Sequence, residues 1–244
     1  MTEYKTFTDG WKGRIGLVAT APGNSTEAEF NRYRPNGVAV LTTRTPLTES
    51  TSAGIQKMNS YVEDAAVMLA KNAYADVVLL SSTAGSFVNG REYELQETNR
   101  LETLTGTKVI TSAGCLLRAL KFFDVNRITL ITPSSQSLND AETAYLAECG
   151  IKVGALGGFL FKDPKDIMSV TPQDVYSLIR RTDDDRSQAI VVSCSGLHAM
   201  DIIDELESNM RKPVLTSNQF GLWGALRAIG VNEKIEGIGM LFRE

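Results

Sequence analysis

Ala189-Ile190-Val191-Val192-Ser193-Cys194-Ser195-Gly196-Leu197 is the stretch on which the fold turns. Four apolar residues run together, three of them β-branched, as in a short strand covered on both faces. Ser-Cys-Ser-Gly ends the run, and a helical pattern follows from about His198 to Met210. A thiol is thus expected where a parallel strand hands over to a helix. In open α/β sheets that carboxyl edge is where ligands bind. Free cysteines are also commonly small buried hydrophobes, so position alone leaves Cys194 either a packing residue or a functional one.

Working outward, the same strand–helix alternation recurs. Strands are predicted at Arg14 to Ala19, Gly37 to Leu41, Asp76 to Leu80, Lys108 to Thr111, Arg127 to Ile131, Ile151 to Leu156 and Pro213 to Thr216. Ser25 or Thr26 is expected to cap a helix with Glu27 and Glu29 in its first turn. Apolar residues from Ile55 to Leu69, Tyr61 and Met68 among them, recur at helical spacing. Further helices are expected within Glu92 to Leu104, at Ala113 to Phe122, at Leu138 to Glu148 with Gly150 as its stop, and at Asn218 to Ile229. Gly157 to Val170 reads as irregular, and Thr171-Pro172 as an N-cap followed by proline at the first helical position. Such alternation specifies an α/β fold with parallel sheets and right-handed crossovers.

The chain also repeats itself. Arg14-Ile15-Gly16-Leu17-Val18 matches Arg127-Ile128-Thr129-Leu130-Ile131, and Leu79-Leu80-Ser81-Ser82-Thr83 matches Val191-Val192-Ser193-Cys194-Ser195. Lys108-Val109-Ile110-Thr111-Ser112 matches Pro213-Val214-Leu215-Thr216-Ser217. Two similar four-stranded parallel-sheet halves follow, residues 1–117 and 118–244, in one compact unit with the last helix of the first half free to cross over. A pseudo-two-fold axis between them would bring Ser82 and Cys194 to opposite sides of one cleft, the expected active site.

Composition narrows the function. At 244 residues, 43% hydrophobic and 22% charged, with a net charge of −4, the chain is an ordinary globular protein with no basic stripe for nucleic acid. No apolar run approaches the ~20 residues that span a bilayer. Met1 to Lys12 lacks the apolar core of a secretory leader. Three cysteines without CxxC spacing point to a reducing cytoplasm and away from disulfides or zinc. One histidine leaves little material for a His-based metal centre or a Ser-His-Asp triad.

The motifs at the strand ends resemble the aspartate/glutamate racemase superfamily, and within it the branch of arylmalonate decarboxylases and maleate cis-trans isomerases. The resemblance covers essentially the whole chain. It is carried by Pro22-Gly23-Asn24-Ser25-Thr26 with Glu27, by Arg44-Thr45-Pro46-Leu47, and by Ser82-Thr83-Ala84-Gly85-Ser86-Phe87. The fourth motif is Cys194-Ser195-Gly196-Leu197, with Asp201 and Glu205-Leu206-Glu207 beyond. Two departures stand out. Ser82 replaces the first thiol of the two-thiol racemases and isomerases, and Ser134 stands where the resembled enzymes often carry tyrosine.

One thiol suffices for decarboxylation of a malonate-type acid: CO2 leaves, the electron pair collapses into an enediolate, and an acid protonates the carbon. Cys194 is the expected acid, being mostly protonated at neutral pH. The enediolate needs preorganised donors. The candidates are the hydroxyls of Ser82, Thr83 and Ser134, and the backbone N–H groups of the Ser82-Thr83-Ala84-Gly85 and Cys194-Ser195-Gly196 turns. The resemblance adds Asn24 as a carboxylate-binding residue. No metal or organic cofactor is required, and the expected partner is a small aryl- or alkyl-substituted dicarboxylate; homo-oligomers stay open. Two alternatives remain: an isomerase- or racemase-like enzyme with Ser82 or Thr83 in place of the first thiol, and an inactive carboxylate-binding protein. Arg44 reads as a loop charge more than as a clamp, and His198 as lying one helical turn from the thiol. Phe220 reads as a packing residue or a wall of the cleft.

Overall fold

The computed structural model describes residues 9–243; most of the segment read as lacking a leader lies outside them. The strands are β1 (Gly13–Thr20), β2 (Val38–Thr45), β3 (Val77–Leu80), β4 (Lys108–Thr111), β5 (Arg127–Thr132), β6 (Lys152–Gly158), β7 (Ala189–Val192) and β8 (Val214–Thr216). They form two four-stranded sheets in equivalent orders, β2-β1-β3-β4 and β6-β5-β7-β8, and every pairing is parallel. The register repeats as well: Leu17 pairs with Leu79 in the first sheet, and Leu130 with Val191 in the second.

Among the described residues, eleven α-helical segments connect or follow the strands: α1 (Asn24–Tyr33), α2 (Ser52–Asn59), α3 (Val62–Val67), α4 (Thr83–Phe87), α5 (Gly90–Thr105), α6 (Ser112–Phe122), α7 (Gln136–Glu148), α8 (Pro164–Ile167), α9 (Pro172–Thr182), α10 (Ile203–Met210) and α11 (Ser217–Ala228). Parallel neighbours require such crossovers, and helices on the sheet faces explain why all four residues of β7 are fully buried. The third repeat match has a local cause. Thr111 and Thr216 each end a strand and cap the next helix, accepting from Gly114 N at 2.9 Å and Gln219 N at 3.2 Å. One continuous core runs through both sheets. Helix α11 packs on α6, β3 and β4 as well as on its own β8, tying the sheets together. None of the described helices is long and apolar enough to cross a membrane.

Several expected boundaries move. The apolar stripe from Ile55 to Leu69 is not one helix: Ser60 Oγ donates to Lys57 O at 2.7 Å, competing with the backbone ladder. Helix α2 stops there, α3 starts afresh, and a π-helical turn follows at Met68–Asn72. Ile55, Met58, Val62 and Leu69 stay buried, whereas Tyr61 and Met68 turn out to solvent. The segment read as irregular contains the end of β6 and the short α8, started by Pro164 with Asp163 accepting from Lys165 N at 3.0 Å. Thr171 caps α9 in a capping box with Asp174, and Gly150 has φ +78° just past α7, both as read from sequence. Helix α6 covers the position of the expected division between residues 117 and 118.

Candidate active site

β1, β3, β5 and β7 are the middle strands of their sheets, and their carboxyl ends meet at one cavity. The first sheet supplies Thr20, Pro22, Gly23, Ser82, Thr83 and Ala84; the second supplies Ser134, Ser193, Cys194, Ser195 and Gly196. Leu47, Ile55, Phe87, Pro164 and Ile167 form an apolar wall. Ser135 Oγ donates to Ser50 O at 3.0 Å, and Ser50 N to Lys162 O at 2.9 Å, closing one side with loops from both sheets. The cavity holds about 60 Å³, room for roughly four to six waters and so for a small molecule.

Of the residues singled out from sequence, Ser82, Thr83, Ala84, Ser134, Cys194, Ser195 and Gly196 line this cavity. Asn24 and Gly85 do not. As the exposed first residue of α1, Asn24 aims its amide at Met168 Sδ, 3.4 Å away. Gly85 lies on the far side of the α4 turn, in a second cavity with Met58 and Asn59, and its N–H is taken by Ser82 Oγ at 3.1 Å. Ser82 is therefore the N-cap of α4, a helix absent from the sequence reading.

Cys194 sits in a turn at the end of β7, half-buried, with Sγ accepting from Gly196 N at 3.2 Å. Burial pushes its thiol up to about 11; the Gly196 and Leu197 amides pull the other way, and nearby Glu142 adds to the rise. At neutral pH the group is a protonated acid, not a thiolate. The turn is held from the first sheet. The Ser195 carbonyl accepts from Ser25 Oγ at 2.6 Å, Thr26 Oγ1 at 2.8 Å and Asn218 Nδ2 at 3.1 Å. Ser25 and Thr26 are thus not caps but lie inside the first turn of α1, whose N-cap is Gly23. Ser25→Ala removes one buried hydrogen bond of about 1 kcal/mol, and the melting temperature is expected to fall by roughly 2–4 °C in calorimetry.

Behind the turn, Glu29 is buried in α1. Its Oε1 accepts from Ala199 N at 3.1 Å and Met200 N at 3.0 Å, and its Oε2 from Asn218 Nδ2 at 2.6 Å. Burial raises its pKa against the pull of those three donors. These contacts hold residues 198 and 199 out of helical geometry, so α10 begins only at Ile203, after a 3₁₀ turn at Met200–Ile202. His198 is exposed rather than one helical turn from the thiol. Phe220 is fully buried and is not part of the cavity wall. Arg44 donates to Thr20 O and Ala21 O, both at 3.2 Å, and pairs with Glu27 at 2.7 Å, fastening the β1–α1 loop.

No Lys or Arg lines the cavity among the described residues. The donors that face it are neutral: the Ser82, Thr83 and Ser134 hydroxyls, turn amides, and the N-termini of α1 and α7. In neither helix does an N-cap side chain accept from a first-turn amide, so first-turn N–H groups remain beside Gly23 and Ser134. Nor do three or more His, Cys, Asp or Glu side chains cluster as a metal site needs, among the described residues.

The sequence model of the arylmalonate decarboxylase family matches residues 17–242. The chain belongs to that family. Arylmalonate decarboxylase from Bordetella bronchiseptica is 28% identical over 94% of this chain and 96% of its own length. Maleate isomerase from Nocardia farcinica is 24% identical over 95% and 96%. A crystal structure of arylmalonate decarboxylase superposes with a TM-score of 0.83 at 26% identity, covering 94% of this chain and 98% of that one. Maleate isomerase from Pseudomonas putida S16 superposes with a TM-score of 0.90 at 22% identity over 95% and 98%. The arylmalonate decarboxylase family fold thus has relatives with two chemistries, and the residues of the cavity must choose between them.

Two buried acids are not singled out as site residues from sequence: Glu29, read only as a first-turn acid of α1, and Glu142, which is buried in α7 and lines the cavity. A signal was present. Arg14 and Arg127, equivalent in the repeat, are 113 positions apart, and so are Glu29 and Glu142.

Proposed function

We propose that this member of the arylmalonate decarboxylase family is a cofactor-independent decarboxylase of malonate-type dicarboxylic acids, with Cys194 as the proton donor. The observation that carries this reading is a single thiol lining the cavity, which burial holds toward its protonated form, with a serine, Ser82, at the position facing it in the repeat. One carboxylate leaves as CO2 from beside the apolar wall, where desolvation disfavours its charge. The remaining electron pair delocalises into the retained carboxylate, and the hydroxyls of Thr83, Ser134 and Ser82 with the turn amide of Ala84 hold the enediolate. Cys194 then gives its proton to the carbon and regains one from solvent, closing the cycle.

Isomerisation through a covalent adduct asks more of Ser82. Its hydroxyl already accepts from Gly85 N, and no basic side chain is hydrogen-bonded to it among the described residues. An unassisted hydroxyl is a weak nucleophile. Two assays on the purified protein separate the readings, CO2 release from phenylmalonate and loss of the maleate double-bond absorbance. CO2 release with maleate untouched is the expected result. Maleate consumption without CO2 release would overturn the proposal.

A further inference from the structure

The repeat places two acids in equivalent positions, and only one of them is used up. Glu29 reaches from α1 to the second sheet's turn, and both of its oxygens are saturated by Ala199 N, Met200 N and Asn218 Nδ2. Its mate, Glu142 in α7, finds a different environment. The repeat aligns Asn218 with Ala113, which offers no side-chain donor, and the amide of Val88 is engaged by Ala84 O at 3.1 Å. Glu142 Oε1 accepts from Ser193 Oγ, which is also 3.5 Å from Thr83 Oγ1. Oε2 has no protein partner among the described residues, although the side chain is only 2% exposed and lines the cavity beside Thr83, Ser193 and Cys194.

We propose that Glu142 is a substrate-binding acid: Ser193 fixes Oε1, and Oε2–H donates to an oxygen of the substrate carboxylate that is retained. The inference deepens the proposed function and rests on its reading of the cavity as a dicarboxylate site. A neutral acid is the one form of this side chain that a dicarboxylate tolerates as a neighbour. Ionised, it would repel the ligand in a cavity that, among the described residues, no Lys or Arg lines. Burial supplies the neutral form, lifting the Glu142 carboxyl to about 8 against the pull of Ser193. The O–H···O⁻ bond it makes gains strength as charge gathers on the enediolate.

The groups around Glu142 leave it as the titrating partner. α7 packs on β6, α4 and α5. Helix α4 carries no ionisable side chain; Arg91 and Glu94 of α5 bind each other and Tyr145; Lys152 of β6 is exposed. Cys194 at the end of β7 titrates higher, near 11.

Phenylmalonate binding is measured by calorimetry from pH 6 to 10 on the Cys194→Ala protein, which cannot turn it over by the proposed route, and on the same protein with Glu142→Gln. Because binding requires the protonated acid, affinity should be flat below pH 8 and fall about tenfold per unit above it. The amide donates without titrating, so the Gln variant should stay flat. Paired buffers of different ionisation enthalpy should show uptake of one proton per ligand at pH 9 in the Cys194→Ala protein, a readout independent of the Gln variant's folding. Measurable binding with neither proton uptake nor a pH-dependent affinity would overturn the role of Glu142 and leave the dicarboxylate site standing. Absence of phenylmalonate binding in both proteins at every pH would overturn the site itself, and Glu142's role with it.

Discussion

Replacing Cys194 with alanine is expected to lower kcat for decarboxylation by about 10²- to 10⁴-fold, the range a positioned general acid supplies. Binding should survive. The cavity's donors are hydroxyls and backbone amides, and the thiol accepts from Gly196 N within its own turn. The Ser195 carbonyl anchors of α1 and α11 hold that turn without the sulfur. A KM within a few-fold of the unaltered protein, with kcat collapsed, is therefore the signature sought. Equal losses in kcat and in phenylmalonate binding would mean that Cys194 shapes the cavity instead. The unaltered thiol offers a second check. Since burial raises its pKa to about 11, the thiolate fraction at pH 7 is small. Iodoacetamide labelling should be slow there and quicken about tenfold per pH unit up to pH 10. A plateau by pH 8 would place the thiol among activated nucleophiles and remove the physical basis for an acid role.

What the sequence discloses and what it hides divide by range. β7 is legible because four consecutive apolar residues admit few alternatives, and the repeat is legible because the strand-end and cap residues Thr111 and Thr216 do the same local work twice. Ser82, Thr83, Ala84, Ser134, Cys194, Ser195 and Gly196, brought to the cavity by strand ends, are legible for the same reason, whereas Ser193 beside them is not. The failures are contacts across the two sheets. Ser25 and Thr26 have the composition of caps, yet their hydroxyls serve a carbonyl about 170 positions away, a partner no local pattern reveals. His198 was misplaced because the pull of Glu29 on Ala199 and Met200 is equally remote. Glu142 sits three residues from Asn139 in α7, and neither is singled out by the local pattern. Both are buried, on the side shared with Leu138, Tyr145 and Leu146. Polar residues in register with a helix's apolar stripe are the pattern that marks such a site.

Glu142 also makes a prediction about stability that needs no ligand. Its unfolded-state pKa is about 4.3, and burial raises the folded-state value to about 8. Below the first value both states hold the proton and the site is neutral in effect. Between the two, the unfolded chain releases a proton that the folded chain retains, so rising pH favours unfolding. Above pH 8 the full penalty is in place, about 3–5 kcal/mol from the separation of the two values. Glu142→Gln keeps an oxygen for Ser193 and cannot ionise. The variant should melt close to the unaltered protein at pH 4.5 and roughly 10 °C above it at pH 9, the gap opening through pH 5 to 8. Glu29, raised in the same direction by burial, tilts both proteins alike, so the difference between the curves belongs to Glu142. Parallel curves across that range would show that the carboxyl is hydrated and ionised in the folded protein. In that case its oxygen would not be available as a donor in the cavity. The opposite result, a widening gap, would mean that the fold tolerates a cost of several kcal/mol at alkaline pH to keep an acid where a serine or leucine would pack without one. A binding role accounts for that cost; packing does not.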